Sequence, residues 1–479
     1  MRRTKIIATY GPSIEDPKIL TKVLETVDVI RINLAHGSWD EGSDQNNEKK
    51  IKLIRKLAKK IKKPIAILVD LKGNKIRIGD VKDHVLNLEK SSILTIRFTT
   101  DKVSKKENEV VINAEHCFKK ISLEDIILMD DGLIKLRVDD ISETEKTLKC
   151  EVIEGGFLRS NKGFEVEGKI INQTGLGDAD KNDIRRLAKL RVDWIALSFV
   201  NEASDINQAR EVLSESASSI HLIAKIERMV ALKQLYWIIK ASDGIMVARG
   251  DLALQSGPGE LTGLQKNIIK QTVKGKKVVI TATQMMESMI SNPSPTRAEM
   301  TDVSNAVLDG TDAVMLSAET AIGGYPVETV LAMDEVCQGA ETYHQTIAGK
   351  DEFQYSELQY VDHAIALSSM SIARNMDIKA IVTLTESGST ALMLSRIRSD
   401  IPIYAFTRNT DTQRRVALYR GVISHPYPFN VDRMEDVLKE IRKELLNLNL
   451  VNTGDLIIIT SGVPLKVSGG TNSLRIIEI

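Results

Sequence analysis

The sequence predicts an α/β protein: a (β/α)8 TIM barrel interrupted by an all-β insertion and followed by a C-terminal α/β domain. Three observations carry this. Eight apolar runs of strand length alternate with helix-patterned stretches, and eight strand–helix units close such a barrel. After the third run, from residue 79 to about 172, the hydrophobic pattern changes to period-2 alternation, as an inserted β domain requires. Past Tyr343 a polar stretch at 349–359 leads into further strands and helices. The expected division is 1–77 with 173–343 for the barrel, 78–172 for an inserted β-barrel and 344–479 for the C-terminal domain.

Residues 4–9 form the first expected strand, followed by the turn Gly11-Pro12-Ser13 and a helix to about Thr26. The second strand, 28–34, runs into Arg31, Asn33 and His36; a Lys-rich helix over 41–62 follows, its charges reading as a solvated face. The third strand, 64–70, runs into Asp70, Lys72, Lys75 and Arg77. In the insertion, alternation at 85–88, 93–96, 110–112 and 133–136 is punctuated by Asp131-Gly132 and Gly155-Gly156, with Asp130-Asp131-Gly132 reading as a hairpin turn. Helical spacing resumes at 183–190. Strands follow at 194–199, His221–Ile226, Gly244–Ala248, 278–281 and 313–317, with a helix over 229–240 between the fifth and sixth. Strands at 379–384, 402–407 and 455–460 open the C-terminal domain.

Composition narrows the function. The 479 residues carry 65 basic and 65 acidic side chains, so no global field favours nucleic acid or a membrane surface. Cys117, Cys150 and Cys337 lack metal spacing and suit a reducing cytoplasm. No apolar run approaches the roughly 20 residues of a membrane span, and the first residues lead straight into a strand rather than a secretory signal.

In a parallel α/β barrel, active groups gather where the strands end. Glu227 and Asp251, one unit apart, are placed to share a divalent cation with Lys225 beside them; two carboxylates plus substrate oxygens is the usual way to hold Mg²⁺. The other strand ends add Arg31, Asn33, His36, Asp70, Lys72, Lys75, Arg77, Gly250, Thr283, Ser317 and Glu319. Several cations around two carboxylates and hydroxyls describe a site for a phosphorylated anion with Mg²⁺. There is no Gly-x-x-x-x-Gly-Lys-Ser/Thr loop, which argues against a P-loop nucleotide site. Taken singly, Lys225 and Glu227 also fit a strand-end ion pair, His36 a cap, and Ser317 with Glu319 a loop tie.

Longer runs bear on these alternatives. Ala282-Thr283-Gln284-Met285-Met286-Glu287-Ser288-Met289 through Pro295-Thr296-Arg297-Ala298-Glu299 resembles the signature of the pyruvate kinase family. So do Asp302-Val303-Ser304-Asn305, Met315-Leu316-Ser317-Ala318-Glu319-Thr320, Ile223-Ala224-Lys225-Ile226-Glu227 and Val247-Ala248-Arg249-Gly250-Asp251. The resemblance spans the chain in the family's domain order. It implies Mg²⁺- or Mn²⁺-dependent transfer of the phosphoryl group of phosphoenolpyruvate to ADP, giving pyruvate and ATP, the final step of glycolysis, by a cytoplasmic homotetramer. It implies that Glu227 and Asp251 hold the metal and that Lys225 and Arg31 face the phosphoryl group. It further implies that backbone amides of Gly250 and Asp251 hold the substrate carboxylate and that Thr283, Ser317 and Glu319 serve enolpyruvate protonation. By the same resemblance Asn33, His36 and Arg77 match the nucleotide side, and the insertion around Asp130-Asp131-Gly132 closes over the site. Thr383, Thr385, Ser387, Ser389 and Thr390 match a loop that binds a phosphorylated effector in regulated members; Glu386 there argues against a bisphosphate and leaves a monophosphate, or an ordinary helix cap with no ligand.

The chain also departs from the family. Ala179 stands where a nucleotide-side lysine is usual, with Lys181 two residues away, and residues 252–257 are an unusual continuation after the metal aspartate. The K⁺ segment Asn-x-Ser reads Asn33-Leu34-Ala35, and Lys75 replaces the Glu of K⁺-dependent members. The ammonium of Lys75 near Asn33 and Asp70 is expected to stand in for K⁺, so that K⁺ is not required. Two other classes compete: a Mg²⁺-dependent lyase acting on pyruvate enolates, and a catalytically inactive metabolite-sensing paralogue, which would have lost Lys225, Glu227 or Asp251.

Overall fold

The computed structural model describes residues 2–43, 45–81, 84–104, 106–130, 132–169, 171, 176–216, 219–257, 259–347, 360–397, 399–427, 433–462 and 470–479. The expected linker at 349–359, the expected boundary at 172–173 and Asp131 lie outside these.

Eight parallel strands, Lys5–Thr9, Val29–Asn33, Ala66–Asp70, Trp194–Leu197, His221–Ile226, Gly244–Ala248, Val278–Ala282 and Ala313–Met315, close into a barrel in sequence order. The eighth pairs with the first at Ala313–Lys5 and seals it. Alternate residues fill the two sides of the wall. Ile7, Leu68, Ala196, Ile223, Met246 and Ile280 fill the interior, while Ile6, Ile30, Ile67, Ile195 and Leu222 pack outward under the helices. Such strands are buried on both faces, which is why they read as continuous apolar runs.

The barrel's interior shares one apolar cluster with the C-terminal domain, through Ala366, Met370, Leu394 and Tyr419. At this amino end of the barrel, Trp194 donates Nε1 to the Arg415 carbonyl at 3.3 Å, Lys5 donates to the Val422 carbonyl at 2.8 Å, and Arg414 meets Asp193 at 2.9 Å. The C-terminal domain therefore plugs the end opposite the strand termini that carry the charged residues.

Several elements differ from the sequence reading. The helix expected over 41–62 is Asn47–Lys60, because Asn46 Oδ1 accepts from the Lys49 amide at 2.9 Å and caps it. The helix expected over 229–240 breaks at Gln234 into Met229–Lys233 and Leu235–Ala241, so that Ala231 and the Leu235, Ile238 and Ile239 face are all buried. In the insertion, the strands form a six-stranded sheet and a two-stranded ribbon, Val85–Leu88 with Gly156–Arg159, around one core rather than a single closed barrel. The C-terminal sheet has five strands where three were expected, in the order Val422–Pro426, Ile403–Thr407, Ile378–Leu384, Leu456–Gly462 and Thr471–Glu478. The helix Pro326–Ile347 runs past the expected boundary at 343. Among the described residues no helix is long and apolar enough to cross a membrane.

Candidate active site

The carboxyl ends of the second, third and fifth strands deliver a buried ion network. Asp70 Oδ2 accepts from Arg31 Nε at 3.0 Å and Nη2 at 2.7 Å, and Arg31 Nη1 reaches Thr9 Oγ1 at 3.1 Å. The Lys225 ammonium lies 3.3 Å from Asp70 Oδ1 and 2.9 Å from Glu227 Oε1, and donates to Ser198 Oγ at 2.8 Å. Glu227 is 1 % exposed, and its Oε2 accepts from the Phe199 amide at 2.5 Å. Phe199 holds that amide in place with a positive φ of 56°, a strained geometry typical of functional turns.

Burial alone would lower the Lys225 pKa, but Asp70 and then Glu227 outweigh it and hold the ammonium above its ordinary range. Burial opposes ionisation of Asp70, yet Lys225 and Arg31 pull its carboxyl below the usual range. Glu227 goes the other way. Burial pushes its carboxyl up and Asp251 adds to this, against the pull of Lys225. A buried carboxylate destabilised by a second carboxylate is what a divalent cation between them would relieve. Glu227 and Asp251 thus fit Mg²⁺ completed by substrate oxygens and water. Among the described residues there is no larger His/Cys/Asp/Glu cluster to compete for it.

The loops after the sixth, seventh and eighth strands form the far wall. Helix Arg249–Ser256 begins at the end of the sixth strand, and the Gly250 amide donates to Thr283 Oγ1 at 2.9 Å. Thr283 and Gln284 both have positive φ, 69° and 53°. Arg249 braces this strained pair through the carbonyls of Ala282, Thr283 and Gln284, and is anchored on Asp302 at 2.7 Å. Glu319 accepts from the Ser317 amide at 2.6 Å and the Met286 amide at 3.4 Å, tying the seventh and eighth loops together.

Lys75 does not join Asn33 and Asp70 as expected. Its ammonium sits 3.1 Å from Asp251 Oδ1 and 3.9 Å from Glu165 Oε1 of the insertion, near the Phe199 ring. Asp70 is already paired with Arg31 and Lys225, whose two positive charges repel a third cation there. Asn33 Oδ1 accepts from the Ala35 amide at 3.0 Å. On the same side His36 is exposed; partial desolvation, then Arg31, Arg77 and Lys50, lower its pKa. Arg77 donates to the Asn161 carbonyl at 2.9 Å at the base of the insertion.

The insertion closes against the barrel here. A Cβ on Gly163 would stand 2.6 Å from Lys75 Cε, and one on Gly132 would stand 2.4 Å from Leu254, within the unusual 252–257 segment. Asp130, beside Gly132, pairs with Lys162 at 2.5 Å.

In the C-terminal domain, Thr383 and Thr385 end a central strand. Gly388, at φ 85°, precedes helix Ser389–Arg396. The Gly388 amide donates to Thr385 Oγ1 at 2.9 Å, Ser387 Oγ to Ser389 Oγ at 3.2 Å, and Thr390 pairs with Thr471. The Ser387 carbonyl accepts from Arg415 Nη2 at 2.9 Å.

Sequence reasoning missed Ser198, Phe199, Arg249 as a brace, and Glu165. Arg249 stood in view as a strand-end charge. Glu165 sits in an alternating stretch 90 residues from Lys75, with no local signal.

The fold and this mouth of cations, paired carboxylates and backbone donors define a (β/α)8-barrel enzyme built for phosphoryl chemistry. Two family models cover most of the chain: "Pyruvate kinase, barrel domain" over residues 1–330 and "Pyruvate kinase, alpha/beta domain" over 363–477. It is 41% identical over 487 residues to a pyruvate kinase of Buchnera aphidicola subsp. Schizaphis graminum, covering 100% of this chain and 99% of that protein. It is 40% identical over 467 residues to a pyruvate kinase of Haemophilus influenzae, covering 96% of each. A crystal structure of a pyruvate kinase from Cryptosporidium parvum superposes with a TM-score of 0.88 at 32% identity, covering 100% of this chain and 96% of that one. The chain belongs to the pyruvate kinase family and is a phosphotransferase of that family.

Proposed function

We propose that this site transfers the phosphoryl group of phosphoenolpyruvate to ADP, with Glu227 and Asp251 holding Mg²⁺ or Mn²⁺. The observation that carries the reading is the Lys225 ammonium, buried yet fully charged between Asp70 and Glu227 at the barrel mouth. Bound to the two carboxylates, the metal supplies positive charge and a fixed frame for substrate oxygens.

Lys225 offers its charge to the phosphoryl group in flight, and Arg31, oriented by Asp70, offers a second cation from the neighbouring strand. The Gly250 and Asp251 amides at the start of helix Arg249–Ser256 receive the substrate carboxylate, which takes the place of the Thr283 hydroxyl on Gly250. That exchange leaves Thr283 Oγ1 beside the enolate with its own proton donated to the Ala282 carbonyl at 2.6 Å, in a loop set by Arg249 and Glu319. Glu319 acts through this loop and through the Ser317 amide. Asn33, His36 and Arg77 line the nucleotide side, where a lowered His36 pKa keeps the imidazole neutral at pH 7.

K⁺ is not required. Ala35 brings no hydroxyl ligand, and the positive charge K⁺ would add is already supplied at this mouth by Arg31, Lys225 and Lys75, whose ammonium lies 3.1 Å from Asp251. A division into a barrel ending with helix Pro326–Ile347, an insertion at 78–172 and a C-terminal domain completes the reading, together with a cytoplasmic homotetramer and a phosphorylated effector on the Thr383–Thr390 loop, which rest on the family resemblance.

The test is a Mg²⁺ titration. Glu227→Ala should raise the Mg²⁺ needed for half-maximal rate by more than about tenfold, since it removes half the donor set. An unchanged Mg²⁺ curve would remove Glu227 from the metal site.

A further inference from the structure

Three charges meet where the insertion touches the barrel, and they are unevenly satisfied. The Lys75 stem passes over Gly163, where a Cβ would crowd it at 2.6 Å, and its ammonium lies 3.1 Å from Asp251 but 3.9 Å from Glu165. The longer distance is outside hydrogen-bond range. Glu165 Oε1 is enclosed and accepts no hydrogen bond from any described residue. Burial pushes the Glu165 carboxyl above the ordinary carboxylate range; Lys75 opposes this and Asp251 adds to it. A partly buried acid on the insertion, otherwise held by Gln255 with Arg228 nearby, therefore faces an ammonium that is held by a different acid on the barrel.

We propose that Glu165 is a positioning residue that receives the Lys75 ammonium when Asp251 is taken by a divalent cation, so that cation affinity depends on an acid supplied by the insertion. The proposal rests on Asp251 as a metal ligand. A dication and an ammonium on one carboxylate repel each other strongly in a partly buried site. Lys75 must leave Asp251, and a shift of about 1 Å brings it into hydrogen-bond range of Glu165. The shift converts the poorest contact of the cluster into a charged hydrogen bond. It also moves the ammonium's partner from the barrel to strand Phe164–Val166 of the insertion. Glu165 touches no substrate atom in this account; it acts only through Lys75.

Mn²⁺ binding to the full-length protein without substrate, followed by the free-Mn²⁺ electron paramagnetic resonance signal, tests this independently of turnover. Glu165→Gln should weaken Mn²⁺ about tenfold, the scale of one lost charged hydrogen bond. In a Lys75→Met background the same change should cost less than about twofold, because the coupling is between these two residues. Hydrogen exchange in Phe164–Val166 should slow on Mn²⁺ addition in the parent protein and not in Glu165→Gln. Equal weakening in both backgrounds would reduce Glu165 to a bulk charge and overturn the proposal, as would unchanged Mn²⁺ affinity in Glu165→Gln. Unchanged Mn²⁺ affinity in Asp251→Asn would remove the metal assignment beneath it, and the proposal with it.

Discussion

Replacing Lys225 with Met keeps the length and apolar stem of the side chain and removes only its charge. The structure sets the size of the effect. The ammonium is buried, already charged, and fixed by Asp70, Glu227 and Ser198, so almost no reorganisation precedes its use. A unit charge about 4 Å from a transferring phosphoryl oxygen, at an effective dielectric near 20, is worth about 4 kcal/mol. That corresponds to about a thousandfold in kcat. Because the charge acts on the group in flight, phosphoenolpyruvate affinity should change by no more than a few fold. Leaving Asp70 and Glu227 without their shared cation also costs about 3–5 kcal/mol of stability, so unfolding must be followed in parallel. Arg31 keeps Asp70 paired, which limits the damage to the Glu227 side. The assay is steady-state turnover coupled to pyruvate reduction, with phosphoenolpyruvate affinity measured separately by equilibrium dialysis. A folded Lys225→Met enzyme retaining a tenth or more of the parent kcat would refute the assignment.

Two further predictions concern charges the family resemblance treats differently. The parent enzyme should show its full rate in K⁺-free buffer, and Lys75→Glu should make the rate rise with K⁺; a parent rate that rises tenfold with K⁺ at constant ionic strength would refute this. In the C-terminal domain, a sugar monophosphate or AMP should shift the phosphoenolpyruvate activation curve of the parent protein and less so that of Ser387→Ala, which loses the hydroxyl but keeps the carbonyl link to Arg415. Identical curves for both proteins would remove the effector site.

The barrel was legible because its strands are buried on both faces and therefore leave unbroken apolar runs; His221–Ile226 and Gly244–Ala248 match their expected bounds to the residue. The C-terminal edges were not. Val422–Pro426 ends in a proline, which reads as a turn and is tolerated because the strand lies at the sheet edge. Thr471–Glu478 is an exposed antiparallel edge strand without an apolar run. In the site, the strand-end rule located Arg31, Asp70, Lys225, Glu227 and Asp251, since the barrel's register carries them to one mouth. It could not aim a long side chain. Lys75 lies five residues beyond its strand, and its direction is set by Gly163 and by Glu165 on another domain. The strained pair Thr283 and Gln284 was equally hidden, because their positive φ follows from Arg249 reaching back to their carbonyls.

The most direct test is to incubate the purified protein with phosphoenolpyruvate, ADP and Mg²⁺ in K⁺-free buffer and measure ATP and pyruvate together. The account predicts the two products in equal amounts, with neither formed when ADP or the divalent cation is omitted. Pyruvate released at the same rate without ADP, or no ATP at all, would contradict it.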